Sequence, residues 1–164
     1  MITGIHIRGY IMIFSEKQGF TLIELMVVIA IIAFLSMIAV PNMLKYVSKA
    51  KRTEAYAQLA SLALAEKAYF AEHGSYTSVI GGSQGLHWKP QGSYNYSYGF
   101  SSGQEGENYF IGQLKAPVSA LARAKISPKG FVIIAAADID GDGELDVISV
   151  DQDNVFTLLS DDLA

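Results

Sequence analysis

The pattern of hydrophobic and polar positions divides the chain into a long helical segment and a β-rich remainder. Residues 25–44 form an apolar run without a formal charge, and about 20 such residues suffice to cross a hydrocarbon core of about 30 Å. This length predicts one transmembrane helix, which we assign to residues 20–44. A buried core helix is the alternative, but no other segment is long and apolar enough to cover it.

The helical pattern continues beyond the apolar run. Residues 45–73 are rich in Ala, Leu, Glu and Lys, which favour helices. We therefore predict an amphipathic second half of the same helix, ended by Gly74. Its apolar face is predicted to contain Tyr56, Leu59, Ala63 and Phe70.

Four basic residues follow the predicted span directly. Under the positive-inside rule they would place the residues after 44 in the cytoplasm. The segment before the span is also basic in part, so the cluster could serve contacts between subunits instead. The four residues are Lys45, Lys49, Lys51 and Arg52.

Residues 74–164 carry the pattern of a small β domain. Short runs rich in β-branched and aromatic residues are separated by Gly, Ser, Asn and Asp. We predict four or five antiparallel strands lying on the amphipathic half of the helix, which makes the fold α+β. The predicted strands are the alternating stretch from Tyr94 to Phe100 and residues 108–114, 131–137, 145–150 and 154–159.

Charge and composition argue against several classes of function. The formal net charge is -4, and residues 138–164 contain nine acidic residues and no Lys or Arg. Such a region repels phosphates, so direct nucleic-acid binding is not indicated. The chain has no cysteine, so disulfides and thiol chemistry are absent. Its three histidines show no metal-ligand spacing, and no catalytic constellation indicates an enzyme.

Residues 1–19 form a polar leader in front of the apolar run. A secretory signal has a different arrangement, because it is cut after its apolar stretch. Met12 offers an internal translation start, which would shorten the leader to residues 12–19. In this chain the polar part precedes the apolar stretch, so the segment is a poor secretory signal.

The string GFTLIEL from Gly19 to Leu25, followed by the apolar run and Pro41, resembles the start of type IV pilins and pseudopilins. The resemblance covers about residues 16–76. It implies a pilin fold, cleavage between Gly19 and Phe20 by a prepilin peptidase, and N-methylation of Phe20. It also implies a single-pass protein held in the lipid of the bacterial inner membrane. From there an assembly platform would build identical subunits into a helical filament, extracellular or periplasmic.

Glu24 is an acidic residue at the edge of the apolar span, where a charge is costly and usually paired or functional. The resemblance implies that Glu24 pairs with the amine on Phe20 of a neighbouring subunit. That contact requires cleavage first, because an uncut chain has no amine there. A carboxylate that only reaches the membrane surface is the alternative.

Pro41 lies inside the predicted helix and removes one backbone hydrogen bond. We expect a kink or an unwound turn there, and the resemblance places a proline at the matching position. A tolerated transmembrane proline is the alternative.

The sequence DIDGDGELD at residues 138–146 predicts a Ca²⁺-binding loop, because alternating carboxylates with Gly at the sixth place suit oxygen ligation. It resembles EF-hand-like loops, and the resemblance to secretion pseudopilins also implies a C-terminal calcium site. Ser149 replaces the usual Glu at the twelfth place, where Asp151 or Asp153 could substitute. A solvated Asp-Gly turn is the alternative. The predicted ligands are Asp138, Asp140, Asp142, the backbone carbonyl of Glu144, and Asp146.

The leading hypothesis is a structural subunit of a type IV pilus. A major or minor pseudopilin of a type II secretion system is the second hypothesis, favoured by the acidic loop and the lack of cysteines. A membrane-anchored calcium-binding module that never polymerises is the third. No enzyme is expected.

Overall fold

The computed structural model describes residues 19–163, so most of the predicted leader and the internal start at Met12 lie outside the described residues. A single α-helix, α1, spans Leu22–His73. It ends where Gly74 adopts a φ of 71° and donates its N–H to the carbonyl of Phe70 at 2.8 Å. Glycine reaches this left-handed conformation without steric cost, so it stops the helix.

The chain divides into two parts, one ending at Ala39 and one beginning at Val40. In the first part, every described residue is exposed. Among the described residues, α1 is the one helix that is long and apolar enough to cross a membrane. Pro41 lies inside α1, which is assigned as helix on both sides of it, and the kink expected there stays a prediction.

The second part contains a six-stranded antiparallel sheet. The strands are β1 Ser97–Gly99, β2 Tyr109–Phe110, β3 Lys125–Ser127, β4 Gly130–Ala137, β5 Asp146–Asp151 and β6 Phe156–Ser160. The main path of the sheet runs β2-β1-β4-β5-β6, and β3 pairs with the half of β4 that β1 leaves open. A short 3₁₀ helix, Val118–Leu121, precedes β3.

The main core lies between one face of this sheet and the second half of α1. Alternate residues of β4 point to opposite faces, so Phe131, Ile133 and Ala135 meet the helix while Ile134 and Ala136 pack against the 3₁₀ helix. Both faces of the central strand are therefore covered. The buried helical residues are Ser48, Ala55, Leu59, Leu62, Ala63 and Glu66.

The predicted α+β class is confirmed, with differences in detail. Leu59 and Ala63 are buried as predicted, but Phe70 is 38% exposed and stacks on Tyr76. The strand expected over residues 108–114 covers only Tyr109–Phe110, because the chain leaves the ladder after Phe110. Strand β3 was not predicted, since KIS has neither length nor an apolar run.

Candidate functional site

Gly19 and Phe20 lie in an irregular segment directly before α1, and the side chain of Phe20 is 90% exposed. A Cβ added to Gly19 would meet no described atom within 4 Å. Packing among the described residues therefore does not require a glycine at this position. The predicted cleavage and methylation at this bond stay predictions.

Thr21 and Glu24 form a reciprocal cap at the start of α1. The hydroxyl oxygen of Thr21 accepts the N–H of Glu24 at 3.2 Å, and Glu24 Oε2 accepts the N–H and the hydroxyl of Thr21 at 2.8 and 2.6 Å. This is a capping box, which satisfies N–H groups that the first helical turn leaves without partners. The T-x-x-E spacing signals it in the sequence, where Glu24 was interpreted as an assembly residue or as a carboxylate that only reaches the membrane surface.

Four carboxylates meet at the edge of the sheet where β4 and β6 end. Asp138, Asp140 and Asp142 follow β4, and Asp162 follows β6. One carboxylate oxygen from each lies within 4.8 Å of the others. We call these four residues the carboxylate cluster. Asp162 was not among the predicted ligands, because the turn that returns it to the loop is visible only in the folded chain.

The loop after β4 is shaped by its own carboxylates. The two oxygens of Asp138 accept the N–H groups of Gly141 and Gly143 at 2.6 and 3.1 Å. Both glycines have φ above 90°, a conformation that other residues rarely adopt. Asp142 accepts the N–H of Glu144 at 2.8 Å. The predicted Asp-rich loop is thus a compact turn whose carboxylates accept its own backbone N–H groups, while Asp140 and Asp142 remain exposed.

Asp162 is the buried member of the cluster, with 6% of its surface exposed. Its Oδ2 accepts the N–H of Ile139 at 2.7 Å, whereas its Oδ1 is buried and has no hydrogen-bond partner. Burial raises the pKa of Asp162, and the charges of Asp140 and Asp142 raise it further.

Asp146, a predicted ligand, lies outside the carboxylate cluster. Its carboxylate is fully buried at the start of β5 and accepts two hydrogen bonds from Arg52 and one from the hydroxyl of Tyr96 at 2.6 Å. Arg52 also binds Asp161, which holds the pKa of that carboxyl below its usual value. The other positions considered for the loop lie elsewhere, since Ser149 is in β5 and Asp151 caps the turn that follows it.

Glu66 is a buried acid that sequence reasoning missed. It lies on the sheet-facing side of α1 and its Oε2 accepts the N–H of Thr77 at 3.3 Å, while Oε1 has no hydrogen-bond partner. Burial raises the pKa of Glu66 to about 7, and the bond from Thr77 opposes this shift only in part. Its spacing from Leu59 and Leu62 places it on the apolar face, which was the available signal.

Two family models match the chain. The model described as a prokaryotic N-terminal methylation motif matches residues 15–40. The model described as the type IV minor pilin ComP, a DNA uptake sequence receptor, matches residues 41–116. The two matches adjoin each other, so together they cover the helix and the first part of the sheet domain.

Curated relatives include pilins and a secretion protein. The type IV major pilin protein PilA of Myxococcus xanthus is 34% identical over 125 residues, which are 76% of this chain and 55% of the relative. The type IV wide pilus major component PilA4 of Thermus thermophilus is 43% identical over 63 residues, 38% of this chain and 48% of the relative. The type II secretion system core protein G of Pectobacterium carotovorum is 38% identical over 75 residues, 46% of this chain and 48% of the relative.

These matches confirm the resemblance seen in the sequence: the chain belongs to the family of type IV pilins and pseudopilins. The chain spans about half the length of the curated relatives it matches.

Proposed function

We propose that the chain is a structural subunit of a type IV pilus, which polymerises through the first half of α1 after its leader is removed. The observation that carries this proposal is the exposure of every described residue from 19 to 47. An apolar helix in this state needs lipid or other helices around it, because water is an unfavourable environment for so much apolar surface. Membrane lipid before assembly, and identical subunits afterwards, supply that cover in turn.

The start of α1 links processing to assembly in this proposal. Cleavage between Gly19 and Phe20 by a prepilin peptidase creates an amine on Phe20, which is then methylated. Glu24 uses Oε2 for the capping box, and Oε1 takes no part in those contacts. The carboxylate can therefore cap its own helix and at the same time face the amine of a neighbouring subunit.

The proposed location follows from the same features. The uncut chain crosses the bacterial inner membrane once, and an assembly platform there delivers the subunit into an extracellular or periplasmic filament. Two of the four basic residues after the span, which the positive-inside rule would keep in the cytoplasm, have partners within the fold. Lys51 donates to the carbonyl of Ile139, and Arg52 binds Asp146 and Asp161.

The second candidate function is a pseudopilin of a type II secretion system. It is favoured by the match to core protein G and by the acidic loop between β4 and β5. DNA binding is not part of either proposal. The receptor function named for the ComP family belongs to that family, and the nine acidic residues near the C-terminus of this chain oppose phosphate binding.

A charge-removing substitution at Glu24 tests the proposal. Glu24→Gln preserves a capping-box acceptor but removes the charge that would pair with the amine. We expect the precursor to be made and cut, while the yield of sheared filaments falls at least about tenfold, because the amine of the neighbouring subunit loses its charged partner. Glu105→Gln, at an exposed position in the sheet domain, is the matched control and should leave the yield unchanged.

Normal filament yield from Glu24→Gln would contradict the assembly role, since it would reduce Glu24 to a cap. Complementation of bacterial mutants distinguishes a pilus subunit from a secretion pseudopilin. Restored filaments in a strain lacking its major pilin support the pilus subunit, and restored secretion in a strain lacking core protein G supports the pseudopilin.

A further inference from the structure

We propose that the sheet domains of neighbouring subunits bind each other through a basic flank on one copy and an acidic flank on the next. This contact rests on the filament role proposed above and identifies the surface by which one copy recognises another. The basic flank consists of Arg123, Lys125 and Lys129. The acidic flank consists of the exposed acidic residues that follow β4, which are Asp140, Asp142, Glu144, Asp153 and Asp161.

Charge is separated along the second part of the chain. Residues 108–137 contain four basic residues and no acidic residue, whereas residues 138–164 contain nine acidic residues and no Lys or Arg. The boundary between the two segments is the end of β4, which is the central strand of the sheet. The same strand therefore separates the two kinds of charge in the sequence and can separate them in the fold.

The topology of the sheet places the two segments on opposite sides of β4. A strand has two hydrogen-bonding sides, and β5 occupies one of them along residues 132–137. Strand β3 pairs with residues 130–132 and must use the other side. Lys125 thus lies opposite Val132 on one side, and Asp151 lies opposite the same residue on the other. The lysines of β3 and its turn border one side of β4, while β5, β6 and their acidic turns border the other.

Most charges of the two flanks are available to a second molecule. The three residues of the basic flank are exposed. Among residues 19–163, both ion pairs use Arg52, and the acidic flank contributes only Asp161 to them. Lys45 and Lys49 line one cavity with two acidic residues of the loop after β4, so they offset part of the negative charge there. The cations of β3 lie on the opposite side of the sheet and cannot do the same.

The positions of the flanks decide how copies can combine. A twofold dimer through either flank would bring like charges together, because such an interface uses the same patch on both copies. A basic flank against an acidic flank uses different patches and leaves one of each kind free. Contacts of this heterologous kind can repeat without closing and so build a helical filament. The separation of charge therefore favours a filament over a symmetric dimer.

The shape of the basic flank also suits an acidic loop. A shallow cavity of about 470 Å³ lies beside β3, and Lys125, Ile126, Phe131 and Gln152 are among the residues that line it. Among the described strands, β3 pairs with β4 alone, so its other side is a free edge. Lysines on an edge strand discourage pairing with further strands but attract carboxylates. The exposed loop at residues 140–144 of the next copy is an acidic segment of the kind this edge can accept.

The contact acts on specificity more than on affinity. A single exposed ion pair contributes little binding energy. Complementary charges instead select the partner and its orientation, because like charges brought together across an interface are strongly unfavourable. Reversing a charge of either flank should therefore reduce assembly more than removing it does.

Carbodiimide cross-linking of intact filaments tests the contact, because this reagent joins a lysine to a carboxylate that touches it and adds no spacer. Filaments of the unaltered chain are sheared and treated, and covalent dimers are separated from monomers on a denaturing gel. Mass spectrometry then identifies joined peptides that are present in the dimer and absent from the monomer. We expect Lys125 or Lys129 joined to a carboxylate of the acidic flank.

Charge reversal provides an independent test at an exposed turn, where misfolding is not at issue. Lys129→Glu should lower the yield of sheared filaments at least about fivefold, and Lys129→Ala less than about twofold. Adding Glu144→Lys to Lys129→Glu in the same chain restores opposite charges and should recover most of the yield. Lys89→Glu, an equal reversal at an exposed position outside both flanks, is the matched control and should leave the yield unchanged.

The outcomes separate this contact from the filament role. Normal yield from Lys129→Glu would overturn the contact and leave the filament role intact, and loss of duplex DNA binding in that variant would then assign the basic flank to another polyanion. Filaments whose cross-linked dimers join peptides outside the two flanks would also overturn it. An unaltered chain that forms no filaments would overturn both proposals.

Discussion

Arg52 on α1 binds both carboxylate oxygens of Asp146 at the start of β5, through Nε at 3.1 Å and Nη2 at 2.5 Å. The two residues are 94 positions apart in the chain. Asp146 is fully buried and the side chain of Arg52 is 17% exposed, so the pair lies between the helix and the sheet. The fork of a guanidinium matches a carboxylate in this geometry, and the contact fixes where the helix meets the sheet.

Removing Arg52 should destabilise the sheet domain. Arg52→Ala leaves the buried carboxylate of Asp146 with the hydroxyl of Tyr96 as its remaining side-chain partner, and losing one member of a buried pair costs about 3–5 kcal/mol. Arg52→Lys should cost less, because an ammonium keeps the charge beside Asp146. Some loss should remain, because an ammonium lacks the planar fork that binds both carboxylate oxygens. Thermal unfolding of the three proteins at one pH measures the difference. Lys49→Ala, at an exposed position of the same helix, should shift stability by less than about 0.5 kcal/mol.

Glu66 should make stability depend on pH. Its folded pKa of about 7 lies above the ordinary value of 4.5 for a glutamate, so the folded state holds this proton more tightly than the unfolded state does. The resulting stabilisation is fully present below about pH 4.5 and is lost as the pH rises through 7. A shift of this size corresponds to about 3 kcal/mol between these limits.

Glu66→Gln tests this prediction, because an amide does not titrate. Stability curves of the variant should lack the decline between pH 5 and 8 that the unaltered chain shows. Glu72→Gln, exposed on the same helix, should keep the decline. Equal slopes in the unaltered chain and Glu66→Gln would show that Glu66 keeps an ordinary pKa.

The capping box should hold the first turn of α1 together. Thr21→Val keeps the shape of the side chain but removes the hydroxyl that accepts the N–H of Glu24 and donates to its carboxylate. Loss of such a cap costs about 0.5–2 kcal/mol. Amide exchange at residues 22–25 in micelles should accelerate in Thr21→Val, and Thr21→Ser should match the unaltered chain. Equal exchange in all three would mean that the cap adds nothing to the turn.

Local patterns were sufficient to predict much of the fold. The apolar run and the helix-forming composition after it indicated one helix, and α1 covers Leu22–His73. Strands β4, β5 and β6 fall within or close to the β-branched runs that indicated them. Strand β3 has three residues, two of them exposed, and exists because β4 offers it a partner. The hydrophobic pattern of the sequence cannot indicate a strand whose side chains are mostly exposed.

The candidate site shows where a single sequence is insufficient. The loop from Asp138 to Asp142 was visible because its residues are adjacent. Asp162 reaches the loop because the chain returns to it after β6. Asp146 binds Arg52 on α1 and does not join the cluster. Contacts at such separations depend on strand register and packing, which local patterns in a single sequence do not reveal. The capping box is different, because the T-x-x-E spacing was present and would have predicted it.

The mass of the N-terminal peptide of the assembled protein shows directly whether the subunit was cut between Gly19 and Phe20. Filaments are sheared from cells that express the chain with its own peptidase, and their subunits are digested and measured by mass spectrometry. We expect Phe20 as the first residue, carrying one N-methyl group, with Gly19 and everything before it absent. Filament subunits that begin at any other residue, or a chain that stays uncut in the membrane, would contradict it.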